Sequence, residues 1–230
     1  MDPVARAVEP EAAFLIIVPP GWARLPVRPD QRSALTEMIE AIVTDALPAD
    51  LPRDSAEPWR AELRKRLLSE ADKARDAGAS ALYLPARPVD GVSVPASLIE
   101  TEVDDDDVAP AADVIAELLR DPQADAMRVV IDGADAVRTD TALSRVPLED
   151  DGLELATRQV VYTIDVPHRA GRWVVLSFTT IMAVGASGEL GDALVLLFDA
   201  MMTTFRWAAV EGAEPSDLEM RLAEISARVR

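Results

Sequence analysis

Apolar and polar residues alternate with two different periods along this chain of 230 residues. Apolar positions that recur every three or four residues predict amphipathic helices, and alternation with a period of two predicts strands with one buried face. The helical period occurs in residues 33–46, 58–77, 110–120, 188–207 and 216–230. Strands are predicted within 13–28 and in 81–86, 92–103, 126–132, 135–143, 153–166 and 172–184.

The strongest helical pattern lies in residues 188–207. Its apolar stripe comprises Leu190, Leu194, Leu197, Phe198, Met201 and Phe205. A stripe of this width indicates a helix that packs on a sheet. Two helices are predicted before residue 80, and Gly78 is expected just past the end of the second, because glycine tolerates the left-handed conformation there.

The strand patterns indicate an antiparallel sheet. Residues 13–28 carry the turn Pro19-Pro20-Gly21 and are predicted to form an edge hairpin, since proline cannot pair inside a sheet. Residues 92–103 are also predicted at an edge, because Pro95 lies near their start. The two longest strands, 153–166 and 172–184, are separated by a short loop and are expected at the centre of the sheet.

These elements predict an α+β fold, with helices flanking an antiparallel sheet as an α/β/α sandwich. We expect one domain over residues 1–212, with a helical elaboration at about 31–78. Residues 213–230 are expected to be a C-terminal helical tail, whose lighter apolar stripe docks loosely or serves a partner.

The charge and composition of the chain narrow the classes of partner and of chemical site that we expect. The formal net charge is −18, which disfavours broad contact with nucleic-acid phosphates or anionic lipid. The chain has no cysteine, so thiolate metal sites, thiol nucleophiles and a lipid-modified cysteine are excluded. The N-terminal residues lack the basic region of a signal peptide, and no apolar run is long enough to span a bilayer. We expect a cytoplasmic protein.

His168 is the only histidine and lies in the predicted loop 167–171. A catalytic base would need a nucleophile and an orienting acid close by, and the sequence has no Gly-x-Ser-x-Gly motif. Asp165 is near in sequence, but polar residues are usual in a solvated hairpin loop. We interpret His168 as a turn residue. A zinc site is disfavoured because the remaining ligands would all be carboxylates.

Residues 100–125 contain ten acids and one base. Glu100 and Glu102 point to one face of a predicted strand, and Asp104–Asp107 follow in a row. We interpret the stretch as a solvated loop in which Asp107 caps the next helix. A surface for a basic partner and a calcium site are the alternatives, although the spacing does not match an EF-hand loop.

Three further patterns have structural interpretations. Gly185, Gly188 and Gly191 do not match a phosphate-binding motif, and Ser187 is expected to be an ordinary helix N-cap. Lys65 and Lys73 are expected on an exposed helix face that also carries the pair Glu62–Arg66. The residues Trp22, Trp173 and Trp207 are expected to be core anchors.

The VPPGW turn at residues 18–22, the paired strands of residues 160–180 and the helix LVLLFDAMMTTFRW together resemble the PsbP-like superfamily. The matching stretches are residues 13–28 and 158–207. The resemblance implies an antiparallel sheet between helices and a non-enzymatic module. It carries over Gly21, Trp22, Phe198, Asp199 and Trp207 as structural positions. Relatives serve as photosystem subunits, binders of small GTPases, lipoproteins and chaperones of secretion-system effectors.

The sequence therefore predicts a protein-binding module, an adaptor or a chaperone associated with a secretion or injection apparatus. We expect no catalytic residues, no metal and no cofactor, and a basic protein as the partner. One alternative is a structural subunit of a larger assembly or a homo-oligomer that docks through residues 216–230. The other is a carboxylate-dependent hydrolase that uses Glu100, Glu102 and His168.

Overall fold

A computed structural model describes residues 13–46, 53–88, 91, 94–104, 109–147, 154–183 and 188–208. Nine strands alternate with four α-helices in this part of the chain. The strands are β1 (Phe14–Leu15), β2 (Trp22–Pro26), β3 (Ala81–Pro85), β4 (Ala96–Asp104), β5 (Asp125–Ile131), β6 (Ala134–Pro147), β7 (Glu154–Asp165), β8 (Arg172–Ala183) and β9 (Arg206–Trp207). The helices are α1 (Arg32–Asp45), α2 (Arg53–Asp76), α3 (Ala111–Leu118) and α4 (Gly188–Met202).

Seven strands form one sheet in the order β2-β3-β4-β8-β7-β6-β5, and every neighbouring pair is antiparallel. The long strand β8 is the middle strand, with β7 beside it. The predicted α+β class with an antiparallel sheet is confirmed, and so is the central position of the two long strands.

Helices cover both faces of the sheet because successive strand residues point to opposite sides. In β3, Tyr83 joins a buried cluster that includes α4, whereas its neighbour Leu82 joins a second cluster with α1 and α2. A third cluster places Ile115 of α3 against Val137 and Trp173, on the same face as α1 and α2. The helices therefore form two layers with the sheet between them.

The core beneath α4 is rich in aromatic side chains. The rings of Phe178 on β8 and Phe198 on α4 stack with centroids 4.7 Å apart. Tyr162 of β7 meets Phe198 edge to face at 5.5 Å. Aromatic rings bury a large apolar area and constrain their relative orientation, so these contacts fix α4 over the centre of the sheet.

The hairpin predicted within residues 13–28 is wrong. β1 pairs with β9, so that Phe14 lies opposite Trp207, and β2 pairs with β3 instead. The ring of Phe14 stacks on Phe205 at 4.8 Å and meets Trp207 edge to face. These aromatic contacts draw the first strand away from β2, which keeps the predicted edge position in the large sheet.

The edge position predicted for residues 92–103 is also wrong, since β4 lies between β3 and β8. Pro95 immediately precedes the first residue of β4, so the ladder loses no N–H donor there. The carbonyl of Pro95 accepts a hydrogen bond from the Ile181 amide at 2.9 Å. A proline at this position is therefore compatible with an interior strand.

The helices differ from their predicted bounds. α4 ends at Met202, and Thr203 and Thr204 form a turn before Phe205, which is fully buried. Leu190 was predicted in the buried stripe but is 42% exposed. α2 begins at Arg53, five residues before the predicted start, and contains Pro58 as its sixth residue, where the helix forgoes the hydrogen bond that an amide N–H would donate.

Two large apolar residues of the helical regions face solvent, namely Trp59 on α2 and Leu119 after α3. Gly78 follows α2 with φ of 86°, as predicted. Asp132 and Gly133 join β5 to β6 in a two-residue turn in which both have positive φ, the geometry of a type I′ hairpin.

Candidate functional site

Glu100 is buried in the sheet and does not belong to a solvated loop. Its carboxylate accepts hydrogen bonds from the Arg24 guanidinium at 3.0 Å, the Ser80 hydroxyl at 2.9 Å and the Tyr83 hydroxyl at 2.7 Å. Only 4% of its surface is exposed. The prediction of a solvated acidic loop is therefore wrong for Glu100, because β4 is an interior strand and three donors offset the loss of water.

Glu102 lies on the same face of β4, as predicted, and is also held by arginines. The Arg28 guanidinium donates to it at 2.7 Å, and Arg172 lies 3.6 Å away. Arg172 also pairs with Asp104 at 2.9 Å. Asp105–Asp107 lie outside the described residues. The helix expected after them has Pro110 at its N-cap with no side-chain cap, so Asp107 does not occupy the cap position.

Tyr83 connects Glu100 to Arg24. Burial raises the pKa of the Tyr83 phenol, and the neighbouring Glu100 carboxylate raises it further. The phenol accepts a hydrogen bond from Arg24 Nε at 3.0 Å while it donates to Glu100. Each of the three groups thus has a fixed donor or acceptor role. Arg24 and Glu100 form an internal ion pair, and the Tyr83 hydroxyl bridges them.

His168 does not meet the two glutamates. It is exposed in the β7–β8 turn with φ of 62°, and it forms no hydrogen bond or ion pair within the described part of the chain. The three residues named for a hydrolase, Glu100, Glu102 and His168, are therefore not assembled: the two carboxylates bind arginines and the imidazole stands apart.

The second tyrosine of the chain has a similar environment. The Tyr162 hydroxyl donates to Asp199 of α4 at 2.9 Å, and Arg138 Nε donates to the same carboxylate at 2.9 Å. Burial raises the pKa of Tyr162, and the hydrogen bond to Asp199 adds to the effect. Arg158 binds Asp140 through two nitrogens and reaches Asp192 of α4. These contacts fix α4 electrostatically as well as by packing.

The remaining candidate residues occupy ordinary structural places. Gly188 begins α4, whereas Gly185 and Ser187 lie outside the described residues. Lys65 and Lys73 are exposed on α2, and Glu62 pairs with Arg66 at 2.7 Å as predicted. Trp173 is buried against α3, and Trp22 and Trp207 are partly buried against the core beneath α4.

A feature that the sequence did not predict lies on the sheet face opposite α4. There, α2 packs mainly on β3 and α3 mainly on β6, and α3 also covers Trp173 at one end of β8. Between these two helices the middle parts of β4, β8 and β7 are only half-buried. We call this the trough. Its floor consists of half-buried side chains, Ser97, Thr101, Gln159, Val161, Thr163, Val175, Ser177 and Thr179.

None of these floor side chains is charged, although 28% of the residues of the chain are charged. Ser177 accepts a hydrogen bond from Gln159 across the strand pair at 2.7 Å, so the floor is ordered. The acid on the trough face of β7 is Asp165 at one end of the strand, and burial, followed by the nearby Asp135, raises the pKa of its carboxyl. A neutral surface of this extent is characteristic of contact areas.

The trough deepens beside α2 into an apolar cleft of about 710 Å³. The cleft is lined mainly by Leu63, Leu67, Leu82, Leu84, Ile99 and Ile181. Glu70 and Lys73 stand at its rim and pair with each other at 2.7 Å. The volume lies in the range of ligand-binding clefts and suits apolar side chains.

Alternation within a strand predicts that one of its faces is buried, but it did not show that β4 lies beside β8 and β7. Paired residues of β4 and β8 lie up to 84 positions apart in sequence, as Ala96 and Thr180 do, and only the pairing of the strands brings their uncharged faces together. No cluster of metal-ligating side chains occurs in the described ranges. No helix there could cross a bilayer.

No protein-family model matches the chain, and no curated protein matches it.

Proposed function

We propose that this protein is a non-enzymatic protein-binding module, an adaptor or a chaperone, and that the trough receives one helix of its partner. The observation that carries the proposal is the gap between α2 and α3. β3 and β6 are separated by four strand spacings, which amounts to roughly 19 Å. Helices in a layer pack about 8–10 Å apart, so a gap of this width admits one helix over the middle of the strands, beyond the end that α3 covers at Trp173.

The chemistry of the trough supports a helix with one apolar edge. Apolar side chains of such a helix would enter the cleft beside Leu67, and uncharged polar side chains would lie on Ser177 and Thr179. Helix-in-groove recognition buries residues at helical spacing in this way. The net charge of −18 would steer a partner whose outer surface is basic.

The proposed role agrees with the resemblance to the PsbP-like superfamily, whose members are non-enzymatic modules. We propose that relationship on the order of the elements and on the aromatic positions Trp22, Phe198 and Trp207. A cytoplasmic place, and an association with a secretion or injection apparatus, are part of the same proposal.

The exposed edge strand β5 favours a second candidate, a structural subunit or homo-oligomer. Val130 is 67% exposed and Met127 is 49% exposed on β5, which contains no proline. An unblocked edge of this kind can pair with another strand. If this candidate holds, Val130→Lys lowers the assembly mass measured by light scattering.

Affinity capture from host lysate with two matched variants tests the trough. Ile181 at the cleft and Leu196 on α4 are both exposed apolar residues, 45% and 68%, so glutamate at either site leaves the core intact. We expect Ile181→Glu to lower recovery of the wild-type partner about tenfold or more, because a carboxylate is buried without a counter-charge. Leu196→Glu should recover it fully.

Circular dichroism establishes that both variants are folded. Equal recovery by Ile181→Glu and wild type would contradict the trough as the binding site. A loss confined to Leu196→Glu would place the partner on α4 instead.

A further inference from the structure

We propose that the unpaired edge of β1 binds an extended, basic segment of a partner protein, which adds to the β1–β9 pair as an antiparallel strand. This edge lies on the α4 side of the sheet, opposite the trough, so the proposal goes beyond the trough and does not depend on it. Three observations support it: the main-chain groups of the edge, the exposed apolar side chains beside it, and the charges in the cleft that it borders.

The first observation concerns the main chain of β1, which has β9 on one side only. The N–H and C=O groups of successive strand residues point to alternate sides. The Ala13 carbonyl and the Ile17 amide both form hydrogen bonds towards β9 and the turn before it. The N–H and C=O of Phe14 and Ile16 therefore point to the other side, where no strand among the described residues pairs with them. Such an edge can pair with an extended chain.

The second observation is the alternation of side chains along residues 13–18. Phe14, Ile16 and Val18 pack against the core beneath α4, whereas Leu15 is 69% exposed and Ile17 is 71% exposed. These six residues extend over about 17 Å at the rise of a strand. Neighbouring side chains on one face of a strand pair stabilise the pair, and apolar and β-branched residues do so well. The added strand should therefore present apolar side chains beside Leu15 and Ile17.

The third observation is the cleft of about 430 Å³ that the edge borders. Residues 13–16 and Val18 form one wall of this cleft. The charged and polar side chains that line it are Arg24, Tyr83, Glu100 and Glu102. The arginines that bind the two carboxylates balance their charge, so the charge of the whole chain sets the preference for a partner. At −18 it attracts a basic segment and repels an acidic one.

Antiparallel pairing specifies which residues of the added strand form hydrogen bonds. Residues opposite Phe14 and Ile16 exchange hydrogen bonds with them and place their side chains on the same inner face, towards the cleft. The residues between them lie beside Leu15 and Ile17, and their N–H groups point to solvent. A strand that alternates basic and apolar residues would thus pair through the main chain of its basic residues.

Fluorescence anisotropy with the full-length protein and a labelled peptide, Lys-Val-Lys-Val-Lys-Val-Lys, tests this arrangement at physiological salt. N-methylation of the lysine amides removes the donors that face β1, and we expect it to weaken binding about tenfold or more. N-methylation of the valine amides is the matched control and should leave the affinity unchanged. Equal losses from the two patterns of methylation, or no binding of the unmodified peptide, would overturn the proposal. An acidic peptide in which glutamate replaces lysine should not bind, and equal binding of it would overturn the preference for a base.

Two protein variants locate the binding surface. Ile17→Lys and Val130→Lys replace exposed apolar strand residues, 71% and 67%, and change the net charge equally. We expect Ile17→Lys to weaken peptide binding about fivefold or more, because an apolar neighbour is lost and a like charge is added. Val130→Lys should leave binding unchanged. Circular dichroism establishes that both variants are folded, and a loss confined to Val130→Lys would assign the peptide to the β5 edge and overturn the proposal.

Light scattering without peptide distinguishes a partner segment from a second copy of this chain. We expect the wild-type protein and Ile17→Lys to have the same mass. A wild-type dimer that Ile17→Lys converts to a monomer would overturn the proposal and assign the edge of β1 to a second copy. These measurements use a synthetic peptide and leave the trough unchanged, so their failure is independent of the capture experiment.

Discussion

The Tyr83 hydroxyl donates a hydrogen bond of 2.7 Å to the Glu100 carboxylate inside the sheet. Arg24, 76 positions before Glu100, completes the cluster from the edge strand β2. The arrangement joins β2, β3 and β4 by side chains as well as by their backbone ladder. It also explains how an acid can occupy an interior strand of this sheet.

Removal of the Tyr83 hydroxyl should destabilise the fold moderately. In Tyr83→Phe the Glu100 carboxylate keeps Arg24 and Ser80 but loses its shortest hydrogen bond. We expect the free energy of unfolding to fall by about 1–2 kcal/mol in denaturant titrations. Arg66→Ala, which breaks an exposed pair on α2, is the control and should change it by less than about 0.5 kcal/mol.

Both tyrosines of the chain should resist ionisation in alkali. Burial and an adjacent carboxylate raise the pKa of Tyr83 and of Tyr162 above the ordinary value of about 10. The folded state therefore binds these protons more tightly, and the stability that they contribute is fully present below about pH 10 and is lost progressively as the pH rises from there towards the raised pKa of the folded state. Ultraviolet absorbance should show phenolate appearing together with unfolding.

A titration of the denatured protein supplies the reference for that measurement. Phenolate that appeared at the ordinary pH while the circular dichroism spectrum stayed native would contradict the buried environments.

Asp140 should make stability depend on pH in acid. Burial alone would raise its pKa, but the hydrogen bonds and charges of Arg158 and Arg138 outweigh burial and lower it. The stability from this carboxylate is therefore present at neutral pH and is lost as the pH falls below its unfolded value of about 3.9.

Asp140→Asn measures this contribution. It should cost about 1–3 kcal/mol at pH 7, the range for hydrogen bonds to charged groups, and the difference from wild type should narrow near pH 3. Asp76→Asn at the exposed end of α2 serves as the control and should show no such trend. A difference that is constant with pH would show that Asp140 acts through packing alone.

Phe198 should be the most sensitive position of α4. Its ring is fully buried and contacts both Phe178 and Tyr162. We expect Phe198→Ala to lower the free energy of unfolding by about 3–5 kcal/mol, from the lost burial and the cavity that remains. Leu196→Ala, two residues away on the exposed side, should change it by less than about 0.5 kcal/mol. Equal losses of stability in Phe198→Ala and Leu196→Ala would contradict the orientation of α4.

Local patterns predicted the secondary structure and the α+β class well, but not the long-range pairing. The alternation in β7 and the turn before β8 depend on neighbouring residues, and these strands lie where expected. The pairing of Phe14 with Trp207 depends on aromatic packing across 193 positions, which no local period reveals. Burial of Glu100 could not be predicted for the same reason, because its donors come from other strands.

The trough could not be predicted from the sequence for a related reason. The outer face of each of its strands is uncharged over most of its length, but the surface exists only because β4 lies beside β8. The helices α2 and α3 then define its width, and their positions follow from the buried clusters around Leu82 and Val137.

The short pairing of β1 with β9 brings Ala13 and Ala208 side by side, joined by a hydrogen bond of 2.9 Å. The first and the last described residues of the domain therefore lie next to each other, about one strand spacing apart. A short peptide could join these two points, and new ends could be opened at the exposed Asp132–Gly133 turn, as in a circular permutation. The same closeness would allow this domain to be inserted as a unit into a surface loop of another protein.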